Sequence, residues 1–260
     1  HRLVLGNSLI KKTLFDIEKS LFYKKQFETK NQQHVFVTGL PRSGTTILLN
    51  FIFQTNEFAS LCYRDMPFIL SPNLYSKISK KKNIQSQERM HQDGIKFDLN
   101  SPEAFDDIFF KTFIDEEIKE NLEIFVSLIL KRYKKKRYLS KNNSSYKRIK
   151  IINSIFPDAI ILIPYRNPLQ HAYSLLKQHN HFCKAQKKDK FILDYMNFLG
   201  HNEFGLNYKS WNLSEKYENP FTLNHWLEQW CFFYKNIIMD IKKNKNVILI
   251  SYEKLCNNLE

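Results

Sequence analysis

Short apolar runs alternate along this chain with longer segments of helical periodicity. The apolar runs predict strands at 34–38, 59–62, 137–141, 159–165 and 246–251. The helical segments are 47–52, a segment opened by Ser101 and Pro102, 115–137, 145–156, 168–188 and 222–243. This alternation predicts an α/β fold with three layers, in which a central parallel sheet is flanked by helices.

The length of 260 residues is enough for one large domain with a full apolar core, so we expect a single domain over 1–260. Residues 1–31 are predicted to form a basic, partly helical lead-in, and residues 189–220 an irregular insertion. Ligands of doubly wound sheets bind beyond the carboxyl ends of the strands, so we expect the site among the residues that follow each strand.

The formal net charge of +14 favours anionic partners such as nucleotides or phosphorylated and sulfated glycans. A lysine-rich surface explains much of this charge, so basic runs such as 134–137 are weak evidence by themselves. The four cysteines are scattered without Cys-x-x-Cys spacing, which argues against a zinc site and against a disulfide scaffold.

The cysteine usage indicates a reducing compartment, so we expect a cytoplasmic location. No apolar run approaches the roughly 20 residues that span a bilayer, and no signal peptide is visible. Since the sequence begins at His1, an anchor upstream of it stays an open alternative.

The most informative segment is the octapeptide that joins the first strand to the first core helix. It consists of Gly39, Leu40, Pro41, Arg42, Ser43, Gly44, Thr45 and Thr46. Backbone N–H groups of such a loop and of the helix N-terminus converge on one spot and favour an anion there. The spacing is that of a P-loop, but Gly-Thr-Thr replaces Gly-Lys-Ser/Thr. The cation is Arg42 instead, whose planar guanidinium binds oxygens as a fork.

A second anion site is predicted where the most apolar strand ends. Arg166 leaves that strand, Asn167 can cap the next helix, and Pro168 suits the first helical position. Ser174 follows about two helical turns later. Two separated anion sites on one sheet suit a nucleotide that is phosphorylated at both its 5′ and 3′ positions.

Together the two motifs resemble the sulfotransferase family that uses 3′-phosphoadenosine 5′-phosphosulfate (PAPS). Residues Pro41 to Thr46 resemble the family's 5′-phosphosulfate loop, and Arg166, Pro168 and Ser174 match the spacing of its 3′-phosphate motif. Asn167 and His171 depart from the pattern, because relatives often have an acid and a basic residue there. The resemblance runs, with gaps, from about His34 to Glu253.

The resemblance implies a P-loop-like fold, PAPS as sulfuryl donor and 3′-phosphoadenosine 5′-phosphate (PAP) as product. Sulfuryl transfer moves a less charged group than phosphoryl transfer, so we expect no metal requirement. Residues 64–67 and 101–105 are similar to bacterial sulfotransferases that act on saccharides. We therefore expect a saccharide or glycan hydroxyl as acceptor, no nucleic-acid partner, and an acceptor pocket built from 66–100 and 189–220.

The resemblance also implies catalytic roles. Arg42 and Lys141, which follows a strand, would stabilise charge on the departing phosphate oxygen. Asp65 stands where related enzymes often carry the general base that takes the acceptor's proton. His91 and Asp93 are competing bases, and Glu103 is a weaker one because the first turn of a predicted helix already explains an acidic residue there.

Three alternatives stay open at the level of sequence. A P-loop kinase or NTPase would bind ATP with Mg²⁺, but it leaves the pair Arg166 and Ser174 unexplained. A polyanion-binding module without turnover would account for the charge and would lose affinity steeply with salt. An inactive relative would keep the donor site without transferring a sulfuryl group.

Overall fold

A parallel sheet of five strands lies at the centre of the fold. The structure is a computed structural model, and it describes residues 2–25, 29–79, 85–88, 94–199, 201–211, 219–241 and 244–257. The strands in chain order are β1 (Val35–Val37), β2 (Phe58–Ala59), β3 (Gln87–Glu88), β4 (Lys96–Phe97), β5 (Arg137–Lys141), β6 (Ile160–Tyr165) and β7 (Val247–Ser251). The central sheet has the order β2-β5-β1-β6-β7, and its pairs are all parallel. Strands β3 and β4 form a separate antiparallel pair.

Helices connect the strands and cover the sheet. They are α1 (Arg2–Gly6), α2 (Ser8–Phe22), α3 (Thr45–Gln54), α4 (Pro72–Ile78), α5 (Asp107–Thr112), α6 (Asp115–Tyr133), α7 (Ile149–Ile155), α8 (Pro168–Lys188), α9 (Lys190–Leu199), α10 (Leu223–Ile241) and α11 (Tyr252–Asn257). Short 3-10 turns lie at Tyr63–Asp65 and Ser145–Arg148. The described helices include none that combines the length and apolar character needed to cross a bilayer.

Alternating side chains of the strands pack on opposite faces of the sheet. Val35 and Val37 of β1 pack in a cluster with Leu49 of α3, whereas Phe36 between them belongs to the larger core that includes Phe125 of α6. This period of two places apolar side chains on both faces, as expected for a buried parallel strand. The predicted three-layer α/β fold with a parallel sheet is therefore confirmed.

The segment around Pro102 differs from its prediction. We expected Ser101 and Pro102 to open a helix, but Pro102 forms an antiparallel bridge with Cys62, and the Glu103 N–H donates to the Leu61 carbonyl at 3.2 Å. The helix begins only at Asp107. The prediction is wrong because an extended neighbour takes the backbone hydrogen bonds that a helix would have used.

The predicted irregular insertion at 189–220 begins with a helix. Asp189 accepts a hydrogen bond from the Phe191 N–H at 2.8 Å, and α9 follows directly. Ile192, Met196 and Leu199 of α9 recur at helical spacing, so the sequence did contain an amphipathic signal. The prediction of an irregular segment is wrong for these ten residues.

Helix α2 of the basic lead-in is packed into the core rather than appended to it. Phe15 of α2 is fully buried and contacts Phe113 edge-on at a centroid distance of 5.1 Å. The buried Glu18 carboxylate accepts hydrogen bonds from the backbone N–H groups of Asn73 and Leu74 at 2.8 and 2.9 Å. A carboxylate at these first N–H groups of α4 satisfies donors that lack helical partners and interacts favourably with the helix dipole.

Replacing Glu18 should therefore destabilise the protein. Glu18→Ala leaves the buried N–H groups of Asn73 and Leu74 unpaired, and we expect the free energy of unfolding to fall by about 2–3 kcal/mol. Asp16→Ala, on the exposed face of the same helix, should change it by less than about 0.5 kcal/mol. Urea unfolding measures both, and equal effects of the two variants would contradict a capping role for Glu18.

Candidate active site

Parallel strands bring four predicted segments to one edge of the sheet. The octapeptide loop follows β1, Asn142 and Asn143 follow β5, Arg166 follows β6 and Tyr252 follows β7. Because all carboxyl ends of a parallel sheet lie at the same edge, residues that are far apart in sequence become neighbours there. The candidate site is built at this edge.

The loop after β1 has a backbone conformation that its sequence makes possible. Gly44 is the residue before α3 and has a φ of +104°, and a Cβ atom there would lie 2.6 Å from Cδ2 of Tyr252. Arg42 also lies in the left-handed region, at a φ of +68°. Such a conformation is uncommon for a residue with a side chain and concentrates at functional sites. The Ser43 hydroxyl donates to the Leu40 carbonyl at 2.7 Å and braces the turn.

The two predicted anion-binding arginines converge on this loop. Nε of Arg42 donates to Oγ of Ser174 at 3.4 Å, and Nη1 of Arg166 donates to the Arg42 carbonyl at 3.4 Å. The Arg166 guanidinium also lies over the Tyr252 ring, 4.7 Å from its centroid. Two guanidinium groups beside a helix N-terminus create a region of positive potential.

A cavity of about 120 Å³ opens between these groups. Its lining includes Arg42, Gly44, Thr46, Arg166 and Tyr252. Among the described residues, buried Nε of Arg166 has no hydrogen-bond partner. A guanidinium N–H without a hydrogen-bond partner is suited to an anionic group. The residues around the cavity therefore fit a phosphate-bearing ligand.

His171 holds the loop from the side of α8. Its ring is fully buried, and Nε2 lies 2.8 Å from the Pro41 carbonyl. A carbonyl only accepts, so Nε2 must carry the proton and donate it. Burial, with a smaller contribution from the nearby charges of Arg166 and Arg42, lowers the pKa of His171 to about 4. The neutral ring therefore links α8 to the loop without adding a third positive charge.

A second and larger cavity, of about 190 Å³, adjoins the same loop. Arg42, Thr45 and Thr46 line both cavities. The second cavity also contains Lys141 and Glu103, whose Nζ and Oε1 atoms lie 3.1 Å apart. Both side chains are about nine-tenths buried, so their ion pair is little screened by water.

The segment that carries Lys141 is held by a buried acidic pair. The Ser140 hydroxyl donates to Asp106, and the Asn142 side chain donates to Asp107 at 2.9 Å. Burial raises the pKa of Asp106 to about 6. These contacts fix the backbone on both sides of Lys141, which positions its ammonium beside the loop.

Asp65 occupies a structural position instead of one in the cavity. Its carboxylate is almost fully buried, accepts from the Cys62 N–H at 2.9 Å and from the Tyr133 hydroxyl, and pairs with Arg132 at 3.8 Å. It therefore caps the 3-10 turn that follows β2 and does not line the cavity that holds Lys141. His91 and Asp93 lie outside the described residues.

Sequence reasoning missed the roles of three residues in this arrangement. In the sequence, Tyr252 is simply the residue after the strand predicted at 246–251, His171 departs from a motif, and Glu103 is explained by a predicted helix first turn. The tertiary structure brings each of them to the loop or to Lys141. Only the position of Tyr252 after a strand offered a signal in the sequence.

Comparison with known proteins shows what the chain is similar to. A sequence profile described as the sulfotransferase family matches residues 34–260. The crystal structure of sulfotransferase STF9 from Mycobacterium avium aligns with a TM-score of 0.58 at 12% identity, over 96% of this chain and 66% of that one. Sulfotransferase STF1 from Mycobacterium tuberculosis H37Rv aligns with a TM-score of 0.58 at 12% identity, over 98% of this chain and 72% of that one.

At these identities the likeness to the two structures concerns the fold, which is the P-loop-like α/β fold that the sequence predicted. The chain spans 66% of the length of STF9 and 72% of the length of STF1. No curated protein sequence matches the chain.

The buried neutral ring of His171 predicts a pH dependence of stability. An unfolded histidine takes up its proton near pH 6.5, whereas the folded ring does so only near 4. Between these values the unfolded chain binds more protons, so the free energy of unfolding falls as the pH falls, on the order of 3 kcal/mol for this residue.

Gln has a side-chain N–H that can replace Nε2, so His171→Gln should keep the fold and remove this part of the pH dependence. Urea unfolding between about pH 4.5 and 7 should give a shallower slope for the variant than for the unchanged protein. His34, whose pKa is also lowered to about 4, is present in both proteins and cancels in the comparison. Identical slopes would contradict the assignment of a buried neutral His171.

Proposed function

Because this chain belongs to the sulfotransferase family, we propose that it transfers a sulfuryl group from PAPS to a hydroxyl group of an acceptor by in-line displacement. The observation that carries the proposal is the loop of Arg42, Thr45 and Thr46, which lines two cavities at once. A group bound to this loop is open to a nucleotide on one side and to an acceptor on the other.

The donor would bind in the cavity between the two arginines. The loop N–H groups, Arg42 and the α3 N-terminus would hold its 5′-phosphosulfate, and Arg166 and Ser174 its 3′-phosphate. The contacts of Arg42 with Ser174 and of Arg166 with the Arg42 carbonyl support this proposal, because they keep both cations within reach of one nucleotide. PAPS supplies the activated sulfuryl group, and the chain supplies binding, orientation and charge.

We assign the general base to Glu103. The objection that a helix first turn explains its charge no longer applies, since α5 begins four residues later at Asp107. Its carboxylate lies in the cavity and pairs with Lys141, whereas the Asp65 carboxylate already accepts two hydrogen bonds away from it. A base must reach the proton that it takes, and among the described candidates Glu103 is the one whose side chain lines the cavity, which supports this assignment.

The proposed step is balanced without a further reactant. The Glu103 carboxylate accepts the proton of the acceptor hydroxyl while its oxygen forms a bond to sulfur. The bond from sulfur to the bridging phosphate oxygen breaks, and that oxygen keeps the electron pair in PAP. Lys141 and Arg42 would stabilise the developing negative charge, which is the usual role of fixed cations in group transfer.

The finer sequence-based expectations stay predictions. They are a metal-free reaction, the absence of a nucleic-acid partner, and a saccharide or glycan acceptor. Metal-independent binding of PAP and its selectivity over other polyanions bear on the first two. The acceptor would bind in the larger cavity.

Calorimetry with PAP should show metal-independent binding in the micromolar range. Arg42→Ala and Arg166→Ala each remove a charge-assisted contact, so each should weaken binding by about 10- to 100-fold. Lys177→Ala removes an exposed cation one turn beyond Ser174 on the same helix and should leave the affinity unchanged within about two-fold.

A preference for Mg-ATP over PAP would identify the chain as a P-loop kinase or NTPase instead. Equal affinity for any polyanion, with a steep loss on adding salt, would support a polyanion-binding module. PAP binding without transfer of labelled sulfate to any acceptor would indicate an inactive relative.

Substitution of the two carboxylates should separate catalysis from structure. Glu103→Gln should lower kcat by about 100- to 10,000-fold while PAP affinity is kept, because the amide cannot take the acceptor's proton. Asp65→Asn should lower the free energy of unfolding, yet kcat of the folded fraction should change by less than about three-fold. Sulfate-transfer kinetics and urea unfolding measure the two effects, and the reverse pattern would restore Asp65 as the base.

A further inference from the structure

The larger cavity has charged groups beside the loop after β1 and a wall that is mainly apolar. The charged and polar groups beside the loop include Arg42, Thr45, Lys141 and Glu103. Apolar groups come from β4, the turn after β2, α8, α9 and the segment after α9, and they include Tyr63, Phe97, Phe182, Ile192, Met196 and Phe204. The segment after α9 also supplies His201 and Glu203, so the apolar character is greatest in the wall formed by the rings and the aliphatic side chains of α9.

The apolar wall is preorganised by contacts between its own rings. The rings of Tyr63 and Phe97 stack at a centroid distance of 4.4 Å, and Tyr63 meets Phe105 edge-on at 5.1 Å. Phe182 and Phe204 are nearly parallel at 6.3 Å, and both are almost fully buried. Rings that already pack on one another keep the shape of the cavity without a ligand.

The remaining polar side chains of the described lining are Thr46, Tyr63, Asp107, Asn143, Tyr195, His201 and Glu203, and several of them already interact within the chain. The Asp107 carboxylate already accepts from Asn142 at 2.9 Å and lies 3.8 Å from Arg148. His201 and Glu203 are partly exposed to solvent, unlike Phe182 and Phe204. A saccharide has a hydroxyl on almost every carbon, and a buried hydroxyl without a partner is costly.

From this lining, and resting on the proposed function, we propose that the acceptor is a compact apolar alcohol, a ring that carries a hydroxyl group, rather than a saccharide. Burial of an apolar ring against the aromatic wall is favourable and needs no polar partner. The cavity of about 190 Å³ is somewhat larger than the roughly 150 Å³ that accommodates a benzene ring in another protein. The single hydroxyl would face Glu103 and Lys141.

The first test measures binding without the donor. We expect 2-naphthol to bind the unchanged protein, and its intrinsic fluorescence measures this binding. Cyclohexanol should compete with 2-naphthol, whereas trehalose should not. The two alcohols separate an aromatic from an alicyclic requirement. Competition by trehalose at a lower concentration than cyclohexanol would overturn the proposal.

Matched variants on α9 test whether the cavity is where the alcohol binds. Ile192→Asp introduces a charge into the apolar wall and should weaken 2-naphthol binding by at least about 10-fold. Ile192→Ala is a milder change that should weaken it by about two- to five-fold and keeps the test decisive if the charged variant fails to fold. Phe191→Ala, at the adjacent position that is 64% exposed, should leave binding unchanged. Equal effects at 191 and 192 would overturn the assignment.

The last arm uses the complete reaction with labelled donor. Transfer of the label to 2-naphthol or cyclohexanol but not to trehalose supports the proposed acceptor class. Transfer to trehalose alone overturns the acceptor class but leaves the proposed sulfotransferase activity supported. Failure of PAP to bind in calorimetry would overturn the proposed function instead. The fluorescence measurement then still decides whether the cavity prefers an apolar alcohol, because it needs no donor.

Discussion

The left-handed turn at Gly44 is the constraint on which the rest of the site depends. It ends the loop after β1 and starts α3, and the Tyr252 ring leaves no room for a side chain at that residue. The turn directs the first N–H groups of α3 and the guanidinium of Arg42 toward the same edge of the sheet. Since the loop lines both cavities, a change in this turn would disturb the two cavities together.

Positive charge is gathered at this edge by groups that fix one another. Arg166 donates to the backbone carbonyl of Arg42, and Arg42 donates to Ser174. Bringing two cations together costs free energy in the absence of an anion, and the buried, neutral His171 limits that cost while it holds the Pro41 carbonyl. The arrangement holds two cations in place beside one cavity.

Burial strengthens the ion pair of Lys141 and Glu103 in the larger cavity. Lys141 and Glu103 form an ion pair in a region lined mainly by aromatic and aliphatic side chains, so their electrostatic effect on a reacting group is larger than it would be in water. The hydrogen bonds of Asp106 and Asp107 fix the backbone around Lys141. Helix α9, which the sequence analysis did not predict, supplies part of the lining of the same cavity.

The sequence by itself determined the parallel α/β fold, the loop from Gly39 to Thr46 and the second motif at Arg166, because these signals are local. A period of two, a period near 3.6 and the special backbone of glycine are visible in consecutive residues. The surroundings of Asp65 and Glu103 were decided only by the tertiary structure. Neither acid stands out in its local sequence. What distinguishes them is their contacts with residues that are distant along the chain.

Tyr133 and Arg132 of α6 come to Asp65 from a distant helix and make it a structural cap, whereas Lys141 comes to Glu103 from a strand. The helix predicted to begin at Ser101 and Pro102 does not form for the same reason. The backbone of Pro102 pairs with that of Cys62, which is distant in the sequence. The local sequence around a residue does not indicate such distant partners. The fold and the loop could therefore be read from the chain, but the carboxylate that faces the cavity could be identified only from packing.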